Sequence, residues 1–405
     1  MSKKEVNFLQ NYPRKKNNGF KKNKKKPHFI LYDRVLVWLT LFLCITGLIM
    51  VSSASISIGQ DLYHDAFYFL KRETFYFLLM FFLSFLFLRI PIKFWKKNSN
   101  IILIITIFLL IIVLLAGISV NGSSRWIKIG IFSIQPSEIC KISSFIYLSS
   151  YLSRKINEVR KCFWGFFKPM SVISVQSIFL LAEPDFGTVI ILFVTSLSIL
   201  FLSGARIKQF LSFIIFIILI IIFLILDKPY RIKRILSFWN PWQDPFGNGY
   251  QLTQSLMALG RGHFFGQGLG NSIQKLNYLP EAHSDFIFSI IGEELGYIGC
   301  FAILLIIFSM SFRAMYIGQK ALKKQKNFSG FLACSIGFWF SFQTLINIGA
   351  ATGILPTKGL TLPLVSYGGS SLIINLIAIC ILLRIDFEMR IKKYQALPKE
   401  FFNEI

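Results

Sequence analysis

Apolar runs long enough to cross a hydrocarbon layer of about 30 Å recur along the chain, separated by polar or Gly/Pro-rich segments. They fall at residues 35–56, 74–90, 100–118, 136–153, 169–182, 186–203, 209–227, 284–312, 328–350 and 363–383, the fifth being the shortest in reach. The pattern predicts an all-α, polytopic membrane protein of about ten transmembrane helices. Residues 228–283, between spans seven and eight, are too polar to cross and too long for a connector, and they predict one large extracytoplasmic loop. Residues 1–34 hold neither an apolar h-region nor a small-residue cleavage site, so the first span is expected to be an uncleaved anchor. The expected organisation is a basic tail (1–34), a ten-helix membrane domain (35–383) and a second tail (384–405).

Composition agrees, with 54% hydrophobic and 16% charged residues. Charge then orients the map, because Lys and Arg favour the cytoplasmic side. With the N-terminus inside, the inner segments hold 32 of the 44 basic residues, and nearly all of the formal net charge of +25 faces the cytoplasm. Both termini are therefore expected inside a bacterial plasma membrane. The cluster Lys21, Lys22, Lys24, Lys25 and Lys26 reads as a topology signal lying on anionic membrane lipids, with no nucleic acid as partner. The six cysteines map to spans or to the inner side, so no disulfide framework is expected.

Irregular backbone cannot persist against lipid, so the polar segments between spans mark the working surface, and they lie almost entirely on the outer side. The outer loop opens with Lys228, Arg231, Lys233 and Arg234, against the inside preference, which suits a phosphate-bearing lipid. Ionisable residues inside spans are costly and read as functional. They are Glu138 and Lys141 in span four and Glu293 and Glu294 in span eight. Glu138 and Lys141 are spaced i,i+3 and can pair; one of the two carboxylates on span eight is expected to reach Lys141 across the helix interface, the other being protonated or facing a polar cavity. Asp285, at the outer mouth of span eight after Glu281 and His283, is either a helix cap or a carboxylate of raised pKa suited to general-base work. Gly266-Gln267-Gly268-Leu269-Gly270 has no βαβ unit around it, so a dinucleotide fold is excluded. Ser366-Tyr367-Gly368-Gly369-Ser370-Ser371 reads as a turn or as a phosphate-binding nest.

Together these segments resemble the shape, elongation, division and sporulation (SEDS) family of membrane glycosyltransferases over nearly all of residues 35–393. The resemblance rests on Asn121-Gly122-Ser123-Ser124-Arg125-Trp126, Gln135-Pro136-Ser137-Glu138 with Lys141, Glu183-Pro184-Asp185-Phe186-Gly187-Thr188, and Gly249-Tyr250-Gln251. It continues through Leu279-Pro280-Glu281-Ala282-His283-Ser284-Asp285-Phe286, Gly292-Glu293-Glu294-Leu295-Gly296 and Leu355-Pro356-Thr357-Lys358-Gly359-Leu360. Pro241-Trp242-Gln243-Asp244-Pro245 and the exit Leu383-Arg384-Ile385-Asp386 look more like the cell-division branch than the elongation branch.

The resemblance implies a ten-helix polymerase of lipid II, joining disaccharides by β-1,4 bonds during septal cell-wall synthesis. It implies Asp285 as catalytic base and Arg125 and Trp126 as parts of the outer cavity. Glu281 and His283 are candidates for tuning the base or binding acceptor hydroxyls. Arg125, Arg231, Lys233, Arg234, Arg261 and Lys358 are the cationic candidates for a pyrophosphate leaving group. Expected partners are lipid II, undecaprenyl-pyrophosphate-linked glycan, a class B penicillin-binding protein transpeptidase and other division proteins. No His/Asp spacing predicts a metal; if a divalent cation takes part, Asp185 near Asp285 is the place to look. A lipid II flippase and a non-catalytic division scaffold are the rival readings.

Overall fold

The computed structural model describes residues 32–120, 123–130, 132–215, 240–247, 249–356 and 359–395. The helices are α1 (Arg34–Tyr63), α2 (Tyr68–Arg89), α3 (Ile92–Lys97), α4 (Ser99–Ala116), α5 (Pro136–Lys161), α6 (Phe163–Ala182), α7 (Phe186–Leu202), α8 (Tyr250–Gly262), α9 (Ile287–Lys323), α10 (Asn327–Ala351) and α11 (Gly369–Gln395). By length and apolarity α1, α4, α6, α9, α10 and α11 can each cross a membrane, and α7 is a shorter apolar helix. α2 and α5 occupy two further expected spans. Residues 207–215 are helical, and the rest of the expected seventh span lies outside the described residues. Also outside are most of the basic tail, the end of the second tail, and Lys228, Arg231, Lys233, Arg234 and Lys358.

Among the described residues the architecture is all-α apart from one small feature the apolar pattern does not contain. Strands β1 (Ile118–Val120), β2 (Ser123–Ile129) and β3 (Phe132–Ile134) form an antiparallel sheet in the order β1-β2-β3 between α4 and α5. β1 and β3, at three residues each, carry too short an alternation to register as strands in a sequence pattern.

Each helix shows why it sits where it does. On α4, Ile101, Ile104, Ile105 and Phe108 are exposed on one face while Leu103, Thr106, Leu110 and Val113 are buried on the other. Such a stripe of large exposed side chains is satisfied by lipid rather than by protein. α5 is the reverse: Ser137, Ser143, Ser144, Ser149 and Ser150 are all buried. A helix this polar is costly against hydrocarbon, and its small residues allow close packing, so it becomes an inner helix contacting α4, α6, α7 and α10. α10 packs along α9, and α11 packs against α2. α6 begins at Phe163, ahead of the expected 169, because Pro169 lies inside the helix instead of bounding it.

α9 is broken at Gly296, whose φ of 69° and ψ of −168° are not helical. The break frees main-chain carbonyls, and the Gly266-Gln267-Gly268 segment uses them: Gln267 and Gly268 donate N–H bonds to the carbonyls of Glu293 and Glu294 at 2.9 and 3.0 Å. A Cβ on Gly266 would lie 2.1 Å from the Glu294 carbonyl oxygen, so only glycine can approach this closely. The glycine-rich run is a docking strap on a broken helix.

Polar contacts gather at two ends of the bundle. At one, Asp33 caps α1 and pairs with Arg313 at 2.7 Å, and Arg384 pairs with Glu388 at 3.1 Å. At the other lie the small sheet, the α6–α7 turn, the segment before α9 and the segment before α11. Every outer segment expected from the alternation of spans that is described reaches this second end.

Candidate functional site

Arg125 stands on β2, and its side chain reaches the α6–α7 turn. Nε donates to the carbonyl of Glu183 at 3.0 Å and a terminal nitrogen to that of Pro184 at 2.5 Å. These two carbonyls sit at the end of α6, where helix carbonyls lack intrahelical donors, so the guanidinium is held by backbone it helps to satisfy. Trp126, next along the strand and half-buried, leaves on the opposite face.

Asp185 opens α7. Its two carboxylate oxygens accept from the Thr188 N–H at 3.1 Å and the Thr188 hydroxyl at 2.8 Å, a complete N-cap. Glu183 is buried, and neither of its carboxyl oxygens has a hydrogen-bond partner among the described residues. Burial first, and Asp185 second, push its carboxyl up to about 8 against the opposing pull of Arg125.

Asp285 lies just ahead of α9, which starts at Ile287 and whose N-cap position, Phe286, supplies no side-chain bond. The cap alternative predicts that the carboxylate accepts a hydrogen bond from a free N–H of the first turn. Among the described residues its carboxylate makes no hydrogen bond or ion pair, so the cap reading is not what the geometry shows. Instead the carboxylate hangs over Gly359: a Cβ built there would lie 3.2 Å from Asp285 Oδ2 and 3.6 Å from Arg125 Nη1. Glycine leaves the space between carboxylate and guanidinium open. Burial and Glu281 raise the carboxyl to about 7, with Asp185 adding to the rise and Arg125 opposing it.

Glu281 is exposed, at φ 55°, and accepts from the Ser284 hydroxyl at 2.6 Å. His283 is buried, its ring 4.6 Å from Phe69 and 5.4 Å from Tyr367, and burial holds it below the usual imidazole range while Glu281 opposes. It is a member of an aromatic cluster joining α2 to the segment before α11. The serine- and glycine-rich run there is tied down as well: Ser370 donates to the Ser133 carbonyl at 2.8 Å and accepts from the Gln135 N–H at 3.1 Å.

The expected pairing of Lys141 with α9 is not made. Lys141 is fully buried and bonds Glu138 at 2.9 Å and Gln343 of α10 at 3.1 Å, with its ammonium 5.2 Å from the Trp339 ring centre. Glu293 pairs with Arg261 at 2.9 Å, accepts from Ser272, and accepts the Ile273 and Gln274 N–H groups at 3.0 and 3.3 Å. Glu294 pairs with Lys275 at 2.8 Å and accepts from Ser53 at 2.7 Å. The four intramembrane residues are therefore two separate clusters rather than one cavity. The physical reason is that α9 is covered by the end of α8 and by the strap that follows it, and these bring their own cations to the two carboxylates, Arg261 from the last turn of α8 and Lys275 from the strap. Arg261, expected to face a leaving group, is committed to Glu293.

The sequence reading missed Asn347 and Gln343, amides on a largely apolar helix. Asn347 donates to the carbonyls of Asp285 and Leu360 at 2.8 and 2.6 Å, and Gln343 to that of Thr361 at 2.7 Å. Their only signal was polarity at an i,i+4 spacing within an apolar run. Among the described residues no three His, Cys, Asp or Glu side chains are grouped as a metal site, and Asp185 spends both oxygens on Thr188.

Comparison with known proteins gives this geometry a family. A family model described as "Cell cycle protein" and covering FtsW, RodA and SpoVE matches residues 34–391. A protein of Buchnera aphidicola subsp. Schizaphis graminum named "Probable peptidoglycan glycosyltransferase FtsW" is 76% identical over 350 residues, 86% of this chain and 99% of that protein. The protein of the same name from Escherichia coli O6:H1 is 58% identical over 378 residues, covering 93% and 91%. Among solved structures, a chain of a peptidoglycan synthase complex superposes with a TM-score of 0.72 at 23% identity, covering 88% of this chain and 98% of that one. The Thermus thermophilus rod shape determining protein RodA superposes at 0.66 and 22% identity, over 89% and 98%. With a fold shared with these structures and a family match running from the start of α1 into α11, the chain belongs to the FtsW, RodA and SpoVE family of multi-pass membrane proteins.

Proposed function

We propose that this protein is a peptidoglycan glycosyltransferase that joins lipid II disaccharides into glycan strands for septal wall synthesis, with Asp285 as general base. The observation that carries the mechanism is the Asp285 carboxylate: placed over Gly359 with Arg125, raised to about 7, and making no hydrogen bond among the described residues. A base whose pKa lies near the working pH combines the ionised form with useful proton affinity.

Asp285 takes the proton of the 4-hydroxyl of an acceptor N-acetylglucosamine. The oxygen forms a bond to C1 of the donor N-acetylmuramic acid as the bond from C1 to the pyrophosphate oxygen breaks. Undecaprenyl pyrophosphate leaves with the electron pair, and an α-linked donor becomes a β-linked product in one inverting displacement. Asp285 then returns its proton to solvent. The leaving group calls for positive charge rather than an acid, which favours Arg125, with Lys358, Arg231, Lys233 and Arg234 as further cationic candidates. No step is assigned to a divalent cation.

In this reading the end carrying Asp285 faces outward and both termini lie in the cytoplasm, as the basic excess on the inner segments favours. A class B penicillin-binding protein is the expected partner; Phe264 and Phe265, exposed at 70% and 82%, are apolar surface on the same strap. The flippase alternative drew on intramembrane charges, and Glu138, Lys141, Glu293 and Glu294 all have partners within the fold. The test is incubation of purified protein with labelled lipid II, with and without that transpeptidase, beside a translocation assay in sealed vesicles. Glycan strands support the proposal. Translocation without polymer would contradict it.

A further inference from the structure

The segment 359–361 crosses the outer end of the bundle as irregular backbone, so its carbonyls have no ladder or helix to satisfy them and require side-chain donors. α10 supplies them from one face. Trp339, Gln343 and Asn347 are spaced at i, i+4 and i+8 and so line one side of the helix. Gln343 grips the Thr361 carbonyl and Asn347 that of Leu360. The Gln343 amide cannot turn over, because its oxygen accepts from both the Trp339 indole at 2.7 Å and the Lys141 ammonium at 3.1 Å.

Asn347 differs from Gln343 in one respect. Its single amide nitrogen donates to two carbonyls from distant parts of the chain, Leu360 at 2.6 Å and Asp285 at 2.8 Å. Both neighbours are acceptors, so only the nitrogen can face them, and the amide has two hydrogens for the two oxygens. Asn347 is 2% exposed, so water does not compete for those hydrogens. One bond fixes the main chain of the base, and the other fixes the residue after Gly359, over which the base hangs.

We propose that Asn347 is a positioning residue for the reaction, clamping Asp285 and the Gly359–Leu360 segment at a fixed separation so that the carboxylate meets the acceptor hydroxyl in line. This rests on the assignment of Asp285 as base. Loss of the clamp shifts the carboxylate relative to the groups that set its proton affinity, which among the described residues are Glu281 on its own turn, Arg125 on β2 and Asp185 at the start of α7. The clamp touches no part of the substrate, so it acts on turnover and not on lipid II capture.

The experiment compares Asn347→Leu, Asn347→Ser, Gln343→Leu and Asp285→Asn with the unaltered protein. Polymerisation rate is measured against lipid II concentration across a pH range spanning neutrality, at matched amounts of folded protein. Asn347→Leu is expected to lower kcat roughly 10²-fold with KM unchanged, since a displacement of about 1 Å at a reacting group has that effect. Its pH midpoint should move away from that of the unaltered protein. Asn347→Ser, which retains one donor, should fall between them and provides the measurement if the leucine variant does not fold. Gln343→Leu, which strips a carbonyl of its donor without touching Asp285, should lose stability and keep the pH midpoint. If both Asn347 variants keep the unaltered midpoint and lose only stability, as Gln343→Leu does, while Asp285→Asn is inactive, the clamp is overturned and the base stands. Polymer from Asp285→Asn at the unaltered rate overturns the base and the clamp with it.

Discussion

Arg125 donates through Nε to the main-chain carbonyl of Glu183 at 3.0 Å, not to its carboxyl group. The Glu183 carboxyl is thus left buried without a hydrogen-bond partner among the described residues, and burial pushes it up to about 8 from an ordinary 4.5. Between those values the folded chain holds a proton that the unfolded chain has lost. The unfavourable contribution of Glu183 is absent below about 4.5, grows as pH rises and levels off above about 8. Glu183→Gln should therefore stabilise the protein at alkaline pH, by a few kcal/mol, and change little in mild acid. Thermal unfolding in detergent as a function of pH reads this directly; an equal effect at both ends would contradict it.

The Glu138–Lys141 pair predicts a specific rescue. Lys141→Met leaves Glu138 in a buried site without its cation, at a cost of about 3–5 kcal/mol. Adding Glu138→Gln should recover much of that loss, whereas adding Glu293→Gln or Glu294→Gln should recover none, because those carboxylates serve Arg261 and Lys275. The yield of monodisperse protein after detergent extraction, with its unfolding temperature, distinguishes these combinations.

The strap on α9 predicts unequal glycines. Gly266 has φ of 78° and its Cβ would collide with the Glu294 carbonyl, whereas Gly270, at φ 85°, has nothing within 4 Å of a Cβ. Gly270→Ala should cost about 1 kcal/mol from backbone strain alone, and Gly266→Ala several times as much. Limited proteolysis of residues 263–280 should rise sharply in the second variant and little in the first.

How far the sequence reached depends on whether an interaction is local. The spans of α1, α4, α10 and α11 were legible because a lipid-facing surface demands long apolar runs whatever the tertiary packing. Asp285 drew notice as a carboxylate at the mouth of a span and Arg125 through a motif that matches a family, and the structure brings both side chains to Gly359. What failed was pairing at long range. Lys141 was expected to pair with α9, yet its partners are three residues away and on α10, and the cations for Glu293 and Glu294 come from the last turn of α8 and from the loop after it, whose path depends on the break at Gly296. Asn347 was not legible at all: a helical pattern shows that an amide sits among apolar residues, not that two carbonyls of irregular backbone converge on it. Lys358 and the cluster Arg231, Lys233 and Arg234 lie outside the described residues, so their part in phosphate binding remains a proposal.

The sidedness proposed from the charge distribution can be tested with single cysteines. In a background where the native cysteines are replaced, Phe246→Cys, at a position 90% exposed near the start of α8, should react with a membrane-impermeant thiol reagent added to intact cells. Lys323→Cys, at the far end of α9, should react only after the membrane is opened. The reverse pattern would put Asp285 on the wrong side of the membrane for wall synthesis.

The central claim is that Asp285 takes the acceptor proton, and Asp285→Asn tests it with the least disturbance. Asparagine keeps the size and removes the basicity, and since the carboxylate makes no hydrogen bond among the described residues, no fold contact is lost. The measurement is chain-length analysis of glycan from unaltered and Asp285→Asn protein at matched amounts, with labelled lipid II and the same transpeptidase partner. The account predicts a fall of about 10² to 10⁴ in polymerisation rate. Insertion, partner binding and lipid II retention should be kept. Polymer of equal length and amount from both proteins would contradict it.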